Sequence, residues 1–317
     1  MSKFIRNLVI DAAGALVAAT ALYGCADSEA STAKQNEQIA MRPAVPAAIV
    51  ETAETAAVKE LTPARVVPTD VSYEDAFAAF RKGDYETARL MFESYTAAND
   101  GDGQGQYMLG LSAWKTGDHE LANRALARAV ELNGESVKAR TNLARVLLEQ
   151  NKPREAMVHI EKAVDLAPQS HEVWRVLGNT LAQIGEREDA LHAYRQAIMI
   201  DEKDAWSMNN YGLLLIQTGR PVEALPPLAR AVELVPTSTM FLNNLGIALE
   251  ASSDVAGARD VFTRVLEIDS THAKAKVSLE RVIAKLGSTE VEPTDLTQFA
   301  RLFEDEVRRW KEPNPLQ

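Results

Sequence analysis

Cysteine is almost absent from this chain of 317 residues, which has only Cys25. A lone thiol makes neither an intramolecular disulfide nor a cysteine-rich metal site, so packing alone has to hold the fold. Aromatic residues are sparse at 6%, and no apolar run has the length and continuity of a convincing membrane-spanning helix. Basic charge is in deficit, with 34 Lys and Arg against 45 Asp and Glu, so the net charge is -11. Nucleic-acid binders need a basic surface that displaces phosphate counterions, and none is expected here. Catalytic motifs are missing as well. The five histidines, His119, His159, His171, His192 and His272, show no HExxH or other paired ligand spacing, and there is no GxSxG, phosphate loop or dinucleotide glycine fingerprint. The expectation is a non-enzymatic protein without metal or cofactor and with no nucleic-acid partner. What is present, 46% hydrophobic and 25% charged residues, fits a globular or helical-repeat chain.

The chain opens "MSKFIRNLVIDAAGALVAATALYGC". Lys3 and Arg6 form a short basic region, Leu8 to Leu22 are mostly apolar apart from Asp11, and small residues close the segment, which is the layout of a secretory signal. Leu22-Tyr23-Gly24-Cys25 resembles a bacterial lipobox, although Tyr23 is bulkier than the small residue usual at its place. The resemblance implies that residues 1–24 are a lipoprotein signal peptide and that Cys25 is the lipid attachment point, placing the mature protein in the bacterial cell envelope. Ala26, rather than Asp, follows the cysteine, which in enterobacteria favours the outer membrane, facing the periplasm. The competing expectation is an unmodified cysteine in a soluble periplasmic or cytoplasmic protein.

Residues 25–70 are rich in Ala, Thr, Glu and Pro and keep no sustained period. Such a segment buries too little apolar surface to offset its conformational entropy, so it reads as a disordered linker. A flexible coil of that length spans about 35 to 40 Å on average, enough to hold a folded domain away from a membrane.

Beyond residue 71 the sequence repeats. Ala88, Ala122, Ala156, Ala190, Ala224 and Ala258 fall 34 residues apart, and Gly110, Ala144, Gly178, Gly212 and Gly246 form a second series at the same spacing. Leu109, Leu143, Leu177 and Leu245 precede four members of that second series. In "WRVLGNTL", Trp174, Leu177 and Gly178, with Ala190 and Tyr194 further on, complete a pattern that resembles the tetratricopeptide repeat family, with Leu181 where a tyrosine is usual. Small residues are needed where paired helices approach closely. "KGDY", "TGDH", "IGER" and "TGRP" are turns in which glycine ends one helix before the next begins. Pro168 and Pro236 close two repeats, Pro221 suits a first helical turn, and Pro226 and Pro227 should distort the helix that contains them.

The resemblance implies an all-α superhelical solenoid, with about six helix-pair repeats near residues 69–102, 103–136, 137–170, 171–204, 205–238 and 239–272. The first is degenerate. "AKAKVSLERVIAKLG" should cap the array with a polar outer face, closing a solenoid over residues 71–287. Residues 288–317 hold a further amphipathic helix in which Leu296, Phe299, Phe303, Val307 and Trp310 make one apolar stripe. That stripe should pack on the last repeats, the alternatives being the chain's own groove or a second molecule in a homo-oligomer.

In this family the first helix of each repeat lines a concave groove. The matching positions here are Tyr107, Trp114 and Lys115; Lys138, Asn142 and Arg145; Arg175, Asn179 and Gln183; Trp206, Asn209, Asn210 and Gln217; and Asn243 and Asn244. Asparagine is a mediocre helix former, so its recurrence calls for a reason. Asn142, Asn210 and Asn244 resemble the asparagine ladder with which some family members hold the backbone of an extended peptide, an amide offering both donor and acceptor. Simple solvated or capping asparagines are the alternative. Arg175, Asn179 and Asn210 resemble half of a carboxylate clamp, but Met240 and Asn244 stand at its later basic positions, which argues against a terminal-carboxylate ligand. The combination of lipobox and repeats resembles the pilotin-like lipoproteins of type IV and Flp/Tad pilus or secretion-system assembly. It implies a membrane-anchored scaffold that binds other proteins through extended segments, and the alternative is a soluble adaptor or co-chaperone.

Overall fold

The computed structural model describes residues 70–286 and 294–312, all within one compact unit. The signal peptide, Cys25 and nearly all of the linker lie outside the described residues. Fourteen α-helices and no strand occur among those that are described. They pair as α1 (Tyr73–Arg81) with α2 (Tyr85–Ala98), α3 (Gly103–Lys115) with α4 (His119–Leu132), α5 (Val137–Glu149) with α6 (Pro153–Leu166), α7 (His171–Ile184) with α8 (Arg187–Ile200), α9 (Ala205–Gln217) with α10 (Pro221–Leu234), and α11 (Thr239–Ala251) with α12 (Val255–Ile268). Then come α13 (Ala273–Leu286) and α14 (Leu296–Lys311). The architecture is a helical solenoid of six pairs, with α13 closing it.

Local chemistry sets these boundaries. Ser72, Asp84, Asp102, Asp118, Ser136, Asp204, Ser238 and Asp254 each accept a backbone N–H of the first turn they precede, and Pro153 and Pro221 open two helices where no N–H is needed. Inside each pair the turn passes through a left-handed residue: Gly83, Gly117, Gly185 and Gly219, with Asn151 (φ 58°) and Ser253 (φ 70°) completing the same 34-residue series. Asparagine tolerates this conformation better than serine does. Ser253→Gly is therefore expected to stabilise the sixth pair by about 1 kcal/mol, a rise in melting temperature of about 2–4 °C that calorimetry would read.

The second small-residue series explains how tightly the pairs close. A Cβ on Gly110, Gly178, Gly212 or Gly246 would stand 2.5–2.6 Å from Leu126, Tyr194, Leu228 or Phe262 respectively. These partners recur every 34 residues in the second helices and are all buried. In α13 the same register holds Glu280, which is exposed. A carboxylate there cannot accept a packed second helix, and the array stops. The outer face of this cap is not wholly polar, since Ile283 and Val277 are also exposed.

The degenerate first repeat is held differently. Tyr73 meets Phe92 and Tyr95 edge-on, and Tyr95 donates to Asp102 at 2.8 Å, so aromatic packing replaces the regular pattern. Pro226 and Pro227, which the sequence places inside a helix, do lie within α10, which runs unbroken from Pro221 to Leu234. The missing N–H groups leave the Val222 and Glu223 carbonyls without their usual donors, yet Pro227 is buried and the helix is secured by neighbours on both sides.

One of those neighbours is α14. It lies on α10 and touches α8, second helices of the fifth and fourth pairs, and does not enter the groove. Ala300, Phe303 and Val307 are buried there. Trp310 covers the Arg195 guanidinium at 4.6 Å and meets Tyr211 edge-on, while Glu304 pairs with Arg230 at 2.8 Å. At its two ends Thr294 bonds Asp254 and Lys311 bonds Glu202. Of the stripe that self-association would have used, Phe303 and Val307 are thus buried within the chain, and Leu296, Phe299 and Trp310 are half-buried.

Candidate functional site: the inner helix face

First helices of neighbouring pairs touch one another along the array, from α1 and α3 to α9 and α11, and so line its inner side. Helical periodicity decides which side chains face inward. In α9, Trp206, Asn209, Asn210, Leu213 and Gln217 fall three or four apart on one face. Gly212, on the other side, meets Leu228 of α10. The same periodicity assigns the other residues placed in the groove from the sequence to the corresponding face of their helices, but the side chains are far from equally free.

In the first half of the groove they are largely committed to one another. Asn142 donates to the Tyr107 hydroxyl at 3.0 Å and accepts from Arg145 at 2.9 Å, and Arg145 reaches Glu172 in the next pair at 2.5 Å. Burial pushes the Glu172 carboxyl up, but the Arg145 bond and charge outweigh it and hold the group below the usual carboxylate range. Trp114 donates to Glu149 at 2.8 Å, and Lys115 lies over the Trp114 and Tyr85 rings. Lys138 is exposed. Gln183 donates to the Leu148 carbonyl and to Asn151.

Arg175 is fixed too. Its guanidinium lies 2.6 Å from both oxygens of Asp204, whose side chain is 1% exposed and also bonds His171 at 3.0 Å and Ser207 at 2.6 Å. Burial alone would raise the Asp204 pKa, yet the bonds from His171 and Ser207 together with the Arg175 charge lower it. The half clamp therefore has its cation neutralised internally, a second reason against a terminal-carboxylate ligand. No group of three His, Cys, Asp or Glu fit to hold a metal occurs among the described residues.

Towards the other end the amides link across repeats. Asn179 accepts from Tyr194 at 2.8 Å and from Asn210 at 2.9 Å; Asn210 accepts from Asn209 at 3.2 Å; Asn209 accepts from Asn244 at 2.9 Å. This chain of bonds crosses three pairs and fixes the rotamers of the groove floor. Beside it, Asn243 is 8% exposed and its Oδ1 has no hydrogen-bond partner among the described residues. A buried acceptor left unmade costs about 1–3 kcal/mol. Trp206 and Met240, one repeat apart in the same register, are 54% and 41% exposed.

A protein-family model described as "Tetratricopeptide repeat" matches residues 73–122, 107–171, 175–239 and 212–273. The chain belongs to the tetratricopeptide repeat family. Among solved structures, Pseudomonas aeruginosa pilF aligns at 18% identity and a TM-score of 0.53, covering 68% of this chain and 94% of that one. Yeast Tom70 aligns at 18% identity and a TM-score of 0.51, covering 71% of this chain and 46% of that one. A thermophilic tetratricopeptide protein from Thermus thermophilus aligns at 19% identity and a TM-score of 0.50, covering 57% of this chain and 99% of that one. At such identities the likeness is one of fold. Comparison with curated protein sequences finds none that matches.

Tetratricopeptide arrays of this kind are generally non-enzymatic scaffolds that bind other proteins through peptide segments. Two parts of this one's groove were not anticipated from sequence. Asp204 was overlooked although it caps α9, because its second role, neutralising Arg175, joins residues 29 apart. The difference between a bonded asparagine and the unpaired Asn243 carries no sequence signal, since both occur in identical "NN" pairs in α9 and α11.

Proposed function

We propose that the chain is an envelope scaffold, anchored by lipid at Cys25 and tethered by residues 25–70, that holds extended segments of partner proteins in its tetratricopeptide groove during assembly of a pilus or secretion complex. The carrying observation is the pair Trp206 and Met240, exposed in one register of the inner face beside the bonded run from Asn179 to Asn244: an apolar contact surface on a rigid floor, against which a bound segment can lie. The lipobox-like Leu22-Tyr23-Gly24-Cys25 supports the anchor and the outer-membrane, periplasm-facing location. Packing of α14 on α10 and α8, which buries Phe303 and Val307, argues for a partner other than a second copy docked through that helix.

Photo-crosslinking in living cells tests this reading. A photoreactive amino acid at position 138 or 206, on the inner face, is expected to give discrete protein adducts, whereas one at position 158, where Val158 of α6 is 65% exposed, is expected to give none. Adducts from position 158 alone would overturn the groove reading. Intact mass of the mature protein tests the anchor: a chain beginning at Cys25 with added acyl mass supports it, and an unprocessed chain refutes it.

A further inference from the structure

The register that begins each first helix changes character along the array. It carries Gln104, Lys138 and Glu172 in α3, α5 and α7, then Trp206 and Met240 in α9 and α11, and finally Lys274 in α13. Polar groups thus give way to two exposed apolar side chains and then to an exposed cation. Trp206 is held in place by an edge-on contact with the buried Phe241 at 5.1 Å, so it offers a fixed apolar wall. Past Met240, Arg281 and Lys285 of the cap both bond Glu250, each at 2.7 Å. Two cations share one carboxylate, so the end of the groove keeps a surplus of positive charge in a chain whose net charge is -11.

Resting on the groove reading above, we infer that the half of the groove formed by the fifth and sixth pairs and α13 is a selective subsite: it takes an extended partner segment with one bulky apolar side chain against Trp206 and Met240 and an acidic side chain towards Lys274. The first half of the groove, occupied by its own ion pairs, adds contact without choosing sequence. Selectivity arises because the apolar wall and the surplus charge occur together only at this end. Reversing Lys274 replaces attraction by repulsion and so inverts the preference for the acidic residue.

Selection of random linear peptides displayed on phage against the full chain tests the subsite, with Trp206→Ala, Met240→Lys and Lys274→Glu chains probed in parallel and their melting curves checked. The expected result is enrichment of peptides that pair a bulky apolar residue with a nearby Asp or Glu. Binding of these peptides should fall about ten-fold or more on Trp206→Ala and on Met240→Lys, and Lys274→Glu should favour Lys or Arg in place of the acidic residue. Peptides that lose binding on Lys138→Glu, yet bind the Trp206→Ala and Lys274→Glu chains undiminished, would overturn the subsite and leave the groove reading standing. Failure of any peptide to enrich above a bare support would overturn both.

Discussion

Gly212→Val is expected to lower the melting temperature of the chain by about 6–12 °C. The first added carbon would stand 2.5 Å from Leu228 Cγ and 2.9 Å from Leu228 Cδ2, and Leu228 is fully buried in α10. It cannot swing into solvent, so the pair must part or the leucine must leave its rotamer. Overpacking of this kind costs about 3 kcal/mol at the upper end of its usual range, and each kcal/mol shifts the midpoint of a domain this size by about 2–4 °C. Damage here spreads, because repeat arrays are stabilised by contacts between neighbours, and α10 is also the seat of α14. Adding Leu228→Ala should restore most of the loss by returning the volume, which a double-mutant cycle measures. A Gly212→Val chain that melts within about 1 °C of wild type, well inside the shift expected for a fraction of a kcal/mol, would mean the pairs are looser than the geometry implies.

Phe303→Asp is expected to release α14 from the outer face. Phe303 is fully buried and touches Trp310 edge-on, so the change removes a buried aromatic, a loss of about 3–5 kcal/mol, and would also place an unpaired carboxylate in an apolar seat. A helix of 16 residues is marginal alone in water, so α14 should lose its helicity once freed. Trp310 fluorescence should shift to the red, and Arg301, Arg308, Arg309 and Lys311 should become sites of rapid tryptic cleavage. Peptide binding should persist, since α14 contacts α8 and α10 rather than the inner face. Loss of binding together with release of α14 would mean that the helix shapes the groove from behind.

Both predictions depend on features that differ in how far the sequence reveals them. The 34-residue series of alanines and glycines states which positions must be small, and the structure adds only what each would strike. The turn series was legible at its four glycines, while Asn151 and Ser253 continue it in the same left-handed conformation without the residue type that signals it. For α14, period and polarity showed that one face must be buried but could not say where. A trace of the answer exists in α10, where Ala229 is buried while Thr263, at the equivalent place in α12, is exposed. In the groove, helical register placed the residues, but hydrogen bonding between repeats decides which are free. Arg175 reads as a ligand-binding cation until Asp204 is seen beneath it.

Trp206→Ala tests the central claim most directly, with melting temperature and affinity for a peptide selected on the wild-type chain measured on the same sample. Trp206 is exposed on the inner face, so its loss should cost the free protein no more than about 1 kcal/mol, a shift of about 2–4 °C, while the peptide, deprived of its apolar wall, binds about ten-fold more weakly. Weaker binding at nearly unchanged stability is what an exposed side chain serving a ligand gives. A chain that binds the peptide as wild type does would contradict the account.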